Sequence, residues 1–193
     1  MNITNRIMLL LTSPDEAMYD QYDSPNLTHA IVIVTIYAGL SSFNAFLSAA
    51  IKSGSIGFGL ITFLGSFLTT YLTWAFLTIV IHILAELLGS LGELLNAVAF
   101  VGLAAAPLIV TSFVSVFITI AGSIVFPEDP DLIVPKISLL NSLVGMAWGW
   151  PGLLCYFGLK NGERLHELKA VTIVLVLFCA MGTYEVVASG AFD

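Results

Sequence analysis

The residues of this chain best placed to do chemistry together are His82, Glu86 and Glu93. They lie close in one short polar interruption, HILAELLGSLGELLN, between two long apolar stretches. On a helix, His82 and Glu86 share one face at a spacing of four. There an imidazole and a carboxyl group can hydrogen-bond, relay a proton or supply two ligands to a metal ion. Two ligands do not complete a zinc site, which takes three or four. An orienting hydrogen-bonded pair is therefore favoured, ahead of a proton or ion pathway and then of metal binding or catalysis; His82 and Glu86 form the candidate polar intramembrane site. An acid in the last turn of a helix faces the negative end of the dipole, so Glu86 needs a partner or water. Ser90-Leu91-Gly92-Glu93 has the form of a capping box, and Gly89 before it suits a helix C-terminus. The stretch reads as helix stop, tight turn and helix start, with Ser90 capping the next helix and Glu93 a cap rather than a catalyst.

The elements that must position these residues follow from composition. Of 193 residues 58% are hydrophobic and 10% charged, against about 25% charged in a soluble domain. That leaves too little polar surface for a water-soluble globule. Runs of about 20 apolar residues span a hydrocarbon core roughly 30 Å thick, and in lipid each such run must be helical to satisfy its own backbone. The fold class expected is all-α: a polytopic bundle of five transmembrane helices behind a short N-terminal amphipathic helix. The spans are placed at 27–51, 57–88, 94–126, 137–159 and 170 to about 190, giving an N-terminal segment 1–26 and a membrane domain 27–193. The second and third runs exceed a straight crossing, and Pro107 offers a kink because it removes a backbone donor. The long runs, without period-two alternation, exclude a β-barrel. MNITNRIMLLLT has one Arg and too short an apolar block for a secretory signal, so the first span is expected to do the targeting.

Five spans put Arg6, Lys160, Arg164 and Lys169 on one side of the membrane and Lys52 and Lys136 on the other. The positive-inside rule then makes the N-terminus cytoplasmic and the C-terminus external, in the cell membrane if the host is prokaryotic. The glycosylation-like Asn2-Ile3-Thr4 and Asn26-Leu27-Thr28 are chance matches on that side. Ser13-Pro14-Asp15-Glu16 should start the short helix, with Met18, Tyr19 and Tyr22 opposite Asp15, Glu16 and Asp20, lying along the interface or docked on the bundle. Ser24-Pro25 repeats the device ahead of the first span. PEDPDLIVPK, 127–136, reads as a loop.

Cys155 and Cys179 sit in apolar stretches without metal-like spacing, as buried free thiols. Thr62, Ser66, Thr69 and Thr73 form a stripe on the second span that can line a pathway or, more commonly, a close helix contact, as can Gly39, Ser42 and Gly65. Glu185 near the outer end of the last span is expected to snorkel or bond another helix, and His29 to reach interfacial water. Trp148, Trp150 and Tyr156 fit interface anchoring and packing equally.

HILAELLGSLGELLNAVAFVGLAAAPLIV resembles the central signature of the Yip-one family of small polytopic membrane proteins. In both, a His-hydrophobic pair ends one span, a Gly-rich turn carries a second Gly three residues on, and an apolar run leads to a Pro; here these are Gly89, Gly92 and Pro107. LTSPDEAMYD, with Pro14, resembles the family's pre-membrane segment. WGWPGLLCYFGLKNGERLHELKAV resembles its fourth span and the opening of its last, through Trp148, Gly158 and Lys169. The chain is similar to a short, prokaryotic-type member, and the resemblance implies a structural role for these seven residues. It also implies a non-enzymatic adaptor or organiser, since eukaryotic relatives are associated with Rab-type GTPases and vesicle trafficking. About 26 residues ahead of the first span leave little surface for a GTPase.

HExxH, GxSxG, paired intramembrane aspartates and a nucleotide-binding Gly-Lys loop are all missing from the sequence, so an enzyme is not expected. No cofactor or metal is expected either. The partners expected are the lipid bilayer, other membrane proteins and further copies of the chain; a net charge of −7 argues against nucleic acid. The alternative is a transporter or channel for a small solute or ion, its path lined by the second-span hydroxyls, His82 and Glu86; the lack of an inverted repeat weighs against it.

Overall fold

A computed structural model describes residues 3–23, 25–125 and 149–188, with the side chains of 20–23, 125 and 181–188 outside that description. Its elements are helices: α1 (Ile3–Thr12), α2 (Pro14–Asp23), α3 (Leu27–Ser53), α4 (Ile56–Leu87), α5 (Leu94–Ala104), α6 (Ala106–Val125), α7 (Gly149–Asn161) and α8 (Glu167–Ala188). Among the described residues there is no strand. Among the described residues three stretches are long and apolar enough to cross a membrane: Leu27–Ser53, Ile56–Leu87 and Leu94–Ile124. They fall on the first three runs expected from hydropathy. The expected loop 127–136, Trp148 and most of the fourth run lie outside the described residues; the end of that run is α7, and the fifth falls on α8.

Local signals set the helix ends. The Asn26 side chain accepts from the His29 N–H at 3.1 Å and starts α3, so Asn26 is the N-cap where Ser24-Pro25 was expected to serve. Gly54, at φ +63°, ends α3 in the left-handed region. Ser55 follows at once as the N-cap of α4, its hydroxyl accepting from the Phe58 N–H at 3.3 Å. Two residues thus turn one long helix into the next, and α3 and α4 pack as an antiparallel hairpin. The third stretch breaks at Ala105 between α5 and α6. Pro107, the expected kink site, has no N–H to give the Leu103 carbonyl, which is why the ladder is interrupted there.

The N-terminal segment differs from expectation in holding two helices rather than one. Ser13 precedes α2 as expected, its carbonyl accepting from the Ala17 N–H at 3.1 Å. Leu10 of α1 and Met18 of α2 are buried in the core cluster, and α2 docks against α7 and α5. Arg6 donates to the Ala17 carbonyl at 2.9 Å, and Asn161 of α7 donates to Asp15 Oδ1 at 2.9 Å. Tyr19 is 59% exposed and so does not join Met18 on the buried side; the side chains of Asp20 and Tyr22 lie outside the described residues.

At the centre lies α5, whose residues Ala99 to Ala104 are all buried. It packs against α3, α4 and α7. Lipid tails are as apolar as leucine, so helices in a bilayer gain by close van der Waals contact, which small residues permit. A Cβ on Gly102 would stand 2.7 Å from the Ala30 Cβ of α3, and one on Gly158 of α7 would meet the Phe100 ring. Gly59 of α4 against Phe46 of α3 and Gly152 of α7 against Phe178 of α8 make further close contacts. Gly39 and Gly65, expected in that role, have open space around them, whereas Ser42 is buried as expected. Cys155 is half-buried and Cys179 exposed, so burial holds for neither thiol in full.

Gly102→Ala is expected to destabilise the protein by about 1–3 kcal/mol, the usual scale of overpacking. Adding Ala30→Gly should restore most of the loss, as read by thermal melts in detergent; equal melting of the single and double variants would exclude this contact as the cause.

Candidate functional site

The turn between α4 and α5 begins as the sequence predicts. Gly89 is left-handed at φ +85°. Its N–H reaches the Glu86 carbonyl at 2.9 Å, and that of Ser90 reaches the Ala85 carbonyl at 2.9 Å, the two bonds of a Schellman motif. The Leu88 carbonyl, left over at the helix end, accepts from Lys169 Nζ of α8 at 2.6 Å. A cation there also meets the negative end of the α4 dipole.

The capping box does not form. Helix α5 starts at Leu94 with Glu93 as N-cap, and no side-chain hydrogen bond caps it. The Ser90 hydroxyl instead accepts from the Gly92 N–H at 2.9 Å and turns to the loop between α7 and α8. There it donates to the Glu163 carbonyl at 2.9 Å and contacts Glu163 Oε2. The other carboxyl oxygen, Oε1, lies 3.1 Å from His82 Nδ1. Glu163 is 0% exposed.

His82 therefore has two carboxyl neighbours. Its side chain is 12% exposed, with Glu163 at Nδ1 and Glu86 Oε1 3.4 Å from Nε2. The expected pair with Glu86 exists, but Glu86 is 61% exposed and reaches water by itself. The buried partner of His82 is Glu163, in a loop from which sequence analysis took only the basic residues. The two carboxyl groups lie on opposite ring nitrogens and do not converge on one point. Among the described residues no group of three or more His, Cys, Asp or Glu is placed to hold a metal ion.

Glycines make the room. A Cβ on Gly92 would collide with the Glu163 carboxyl group and stand 2.8 Å from its Cα, so only glycine lets the loop lie this close. The Gly158 carbonyl accepts from both Gly162 (2.7 Å) and Glu163 (3.3 Å), winding the chain tightly as α7 ends. Arg164 follows at φ +52°, left-handed for a residue with a side chain. Beyond it, Lys160 Nζ lies 3.2 Å from Glu167 Oε1, a hydrogen bond that holds the ammonium above the usual lysine range.

Part of the family signature meets in space. Gly89, Gly92 and Lys169 frame the Glu163 site, Gly158 seats Phe100 beneath it, Pro107 marks the break after α5, and Pro14 starts α2. The second-span stripe is not brought together. Thr62 bonds its own helix at the Phe58 carbonyl, while Thr69 and Thr73 lie exposed on the side of α4 that carries Leu68, Leu72 and Phe76. Trp150, which is exposed, donates from Nε1 to the Leu10 carbonyl at 3.4 Å, and Tyr156 packs edge-on to Phe157. His29 is half-buried, and the side chain of Glu185 lies outside the described residues.

Glu163→Leu should destabilise the protein by about 1–3 kcal/mol, because it strips an acceptor from His82 and Ser90 in a buried place. Gly92→Ala should do likewise by pushing Glu163 out, and the two together should cost less than their sum, since they break one contact. Glu86→Gln, at an exposed position, should stay within about 0.5 kcal/mol of the parent. Denaturation midpoints of the four variants and the parent test this; additive losses would show that Gly92 and Glu163 act separately.

A family model, the Yip1 domain, matches residues 8–188. Comparison with curated proteins and with solved structures returns no match. The matched stretch takes in α2 to α8 and the whole Glu163 site, so nearly the full length that builds this bundle carries the family pattern. The chain is a membrane protein, embedded in the lipid bilayer, and it belongs to the Yip1 family.

Proposed function

We propose that this chain is a non-enzymatic organiser or adaptor of its membrane, working through other membrane proteins or further copies of itself. In this reading it crosses the bilayer five times, α7 belonging to the fourth crossing and α8 forming the fifth. Residues 1–26 form a cytoplasmic, amphipathic interfacial segment and 27–193 the membrane domain.

The observation that carries this reading is what the polar groups of the signature are used for. His82 and Ser90 both bond Glu163, joining two separated pieces of chain, and Lys169 bonds the end of α4. A pathway for solute or ions would need such groups lining a common cavity between helices. Of the stripe residues Thr62, Ser66, Thr69 and Thr73, the last two are on the exposed side of that helix and the first two are half-buried. Surfaces of this kind suit a scaffold whose outside is read by lipid and by neighbouring proteins.

Reconstituted in liposomes loaded with a pH-sensitive dye, the chain should raise proton flux no further than protein-free vesicles, and crosslinking in native membranes should trap a discrete complex. A saturable flux abolished by Glu163→Gln would replace this reading with transport. For the topology, single cysteines at Ser24 and Ser189, in a background free of Cys155 and Cys179, should label from opposite sides of the membrane. Labelling from one side would remove the five-crossing arrangement.

A further inference from the structure

The long helices of this bundle are not equally tall. At about 1.5 Å per residue, the 27 residues of α3 measure about 40 Å and the 32 of α4 about 48 Å. A bilayer is about 30 Å thick in its hydrocarbon core and about 40–45 Å with its headgroups. Helix α3 fits one crossing, and α4 exceeds it.

Contacts between helices place the excess at one end. Gly59 of α4 lies against Phe46 and Ala50 of α3, close to the two-residue turn, and Tyr71 meets Thr35 further along. Carried on in antiparallel register, these pairs set Leu27 level with about Val80, so the last two turns of α4 run about 10 Å past the start of α3. Helix α5 agrees from the other side. It runs parallel to α3 with Gly102 against Ala30, which puts Leu94 about 8 Å beyond Leu27. At the far end the helices finish together: Thr119 of α6 is bonded to Asn44 of α3, and the same register brings Val125 level with Ala50, within a turn of the end of α3.

What the extra turns of α4 expose is apolar. Leu68, Leu72, Phe76, Ile79, Ile83 and Leu87 follow one another at spacings of four, four, three, four and four, which is one face of a helix. The row passes the level where α3 begins without a change of character: Leu72 in mid-helix is 70% exposed and Leu87 at the end 76%. Between Lys52 and Glu86 the sequence has no Asp, Glu, Lys or Arg. Beside α3 the polar chain starts about 10 Å nearer the middle of the bundle, with Asp23 and Asn26 ahead of the helix and Thr28 exposed in its first turn. The apolar belt around the bundle is therefore stepped, higher on the α4 face than on the α3 face. A belt taller than the bilayer is met by tilt or by thickening of the lipid beside it. Tilt shortens α3 and α4 alike and leaves them unequal. Even at about 40°, the upper end of the usual range, the exposed apolar side of α4 from Ile56 to Leu87 stands about 36 Å tall.

We propose that the α4 face holds a collar of long-chain lipid, so that the bilayer is thicker beside α4 than beside α3 and the protein favours acyl chains longer than those of an ordinary membrane. The upper part of this face is continuous with the lipid-covered surface below it, and acyl chain is its occupant for that reason. The exposed carboxyl groups of Glu86 and Glu93 mark the upper edge of the collar, where headgroups and water begin. Favouring lipid by length gives a membrane organiser a physical means, yet it depends only on the chain being embedded in a bilayer and not on that reading.

Thermal melts of the full chain in phosphatidylcholine bilayers with monounsaturated acyl chains of about 14 to about 24 carbons test this. The midpoint should be highest at about 20 carbons or more, beyond the roughly 18 that suit an ordinary core. Ile83→Ser combined with Leu87→Ser shortens the row at exposed positions, so the optimum should move to chains shorter by about 2–4 carbons. A second measurement needs no change in the row's length. Single cysteines at Thr28, Leu72 and Ile83, in a background free of Cys155 and Cys179, carry a fluorophore that brominated acyl chains quench. Ile83 should be quenched more than Thr28, although it lies nearer the end of the bundle, and Leu72 at least as much as Ile83. An optimum at about 18 carbons or fewer, an optimum unmoved by the double variant, or a Thr28 label quenched as strongly as one at Ile83 would each overturn the collar. So would an unquenched label at Leu72, which would show the face to be covered by a second copy or another protein. A flux or crosslinking result against the organiser reading leaves all of these outcomes in place.

Discussion

A carboxyl group with no access to water must be supplied with hydrogen-bond donors by the protein, and Glu163 imposes that demand on this bundle. Meeting it fixes the ring of His82 at the end of α4, turns the Ser90 hydroxyl away from the helix it precedes, and requires glycine at position 92. Three residues of one stretch are set by one side chain, and two of them lie 81 and 73 residues away from it in sequence. Removing one partner from such a buried set costs more than a bond of the same kind at the surface, because the group left behind keeps its burial and loses its compensation. Glu86 offers the contrast: it touches the same imidazole but has water at hand.

The same economy of space governs the middle of the bundle. Helix α5 carries Ala97, Ala99, Gly102 and Ala104, and Gly102 lets α3 approach its backbone. Its Phe100 fills the gap that Gly158 of α7 leaves. Polar bonds join particular helices: Thr119 donates to Asn44 Oδ1 at 2.7 Å between α6 and α3, and Thr35 bonds Tyr71 between α3 and α4. In a medium that offers no competing partners, such bonds fix which helix faces which, while close packing supplies the cohesion.

Hydropathy made the three long helices legible because the length of an apolar run is a local property that lipid reads directly. Gly89 was legible for a similar reason, since a left-handed C-terminus is decided by the last few residues of one helix. The capping box was not, although its pattern is complete: Ser90 had a second acceptor available in Glu163, far off in sequence, and tertiary contact prevailed over local pairing. Glu163 itself was missed because a loop acid between Gly162 and Arg164 has the look of wet surface, and only the folded chain puts it under Gly92. The one available sign was indirect. His82, mostly apolar in its surroundings, wanted an acceptor deeper than an acid in an exposed last turn. Tyr19 failed in the opposite sense, an aromatic ring assigned to a buried side that turned outward.

The two-residue turn at Gly54 and Ser55 has a consequence for how the bundle comes into being. Helices α3 and α4 are neighbours in sequence and in space, each apolar on its outer side, so the pair can enter a membrane as a unit while the rest of the chain is still being made. During that interval His82 has Glu86 and the adjoining water as its company. The loop that carries Glu163 is synthesised only after α5 and α6, so the buried site cannot close before those helices have been made. Assembly of this protein therefore has a direction, from a hairpin at its foundation to a carboxyl group that must wait for the helices between.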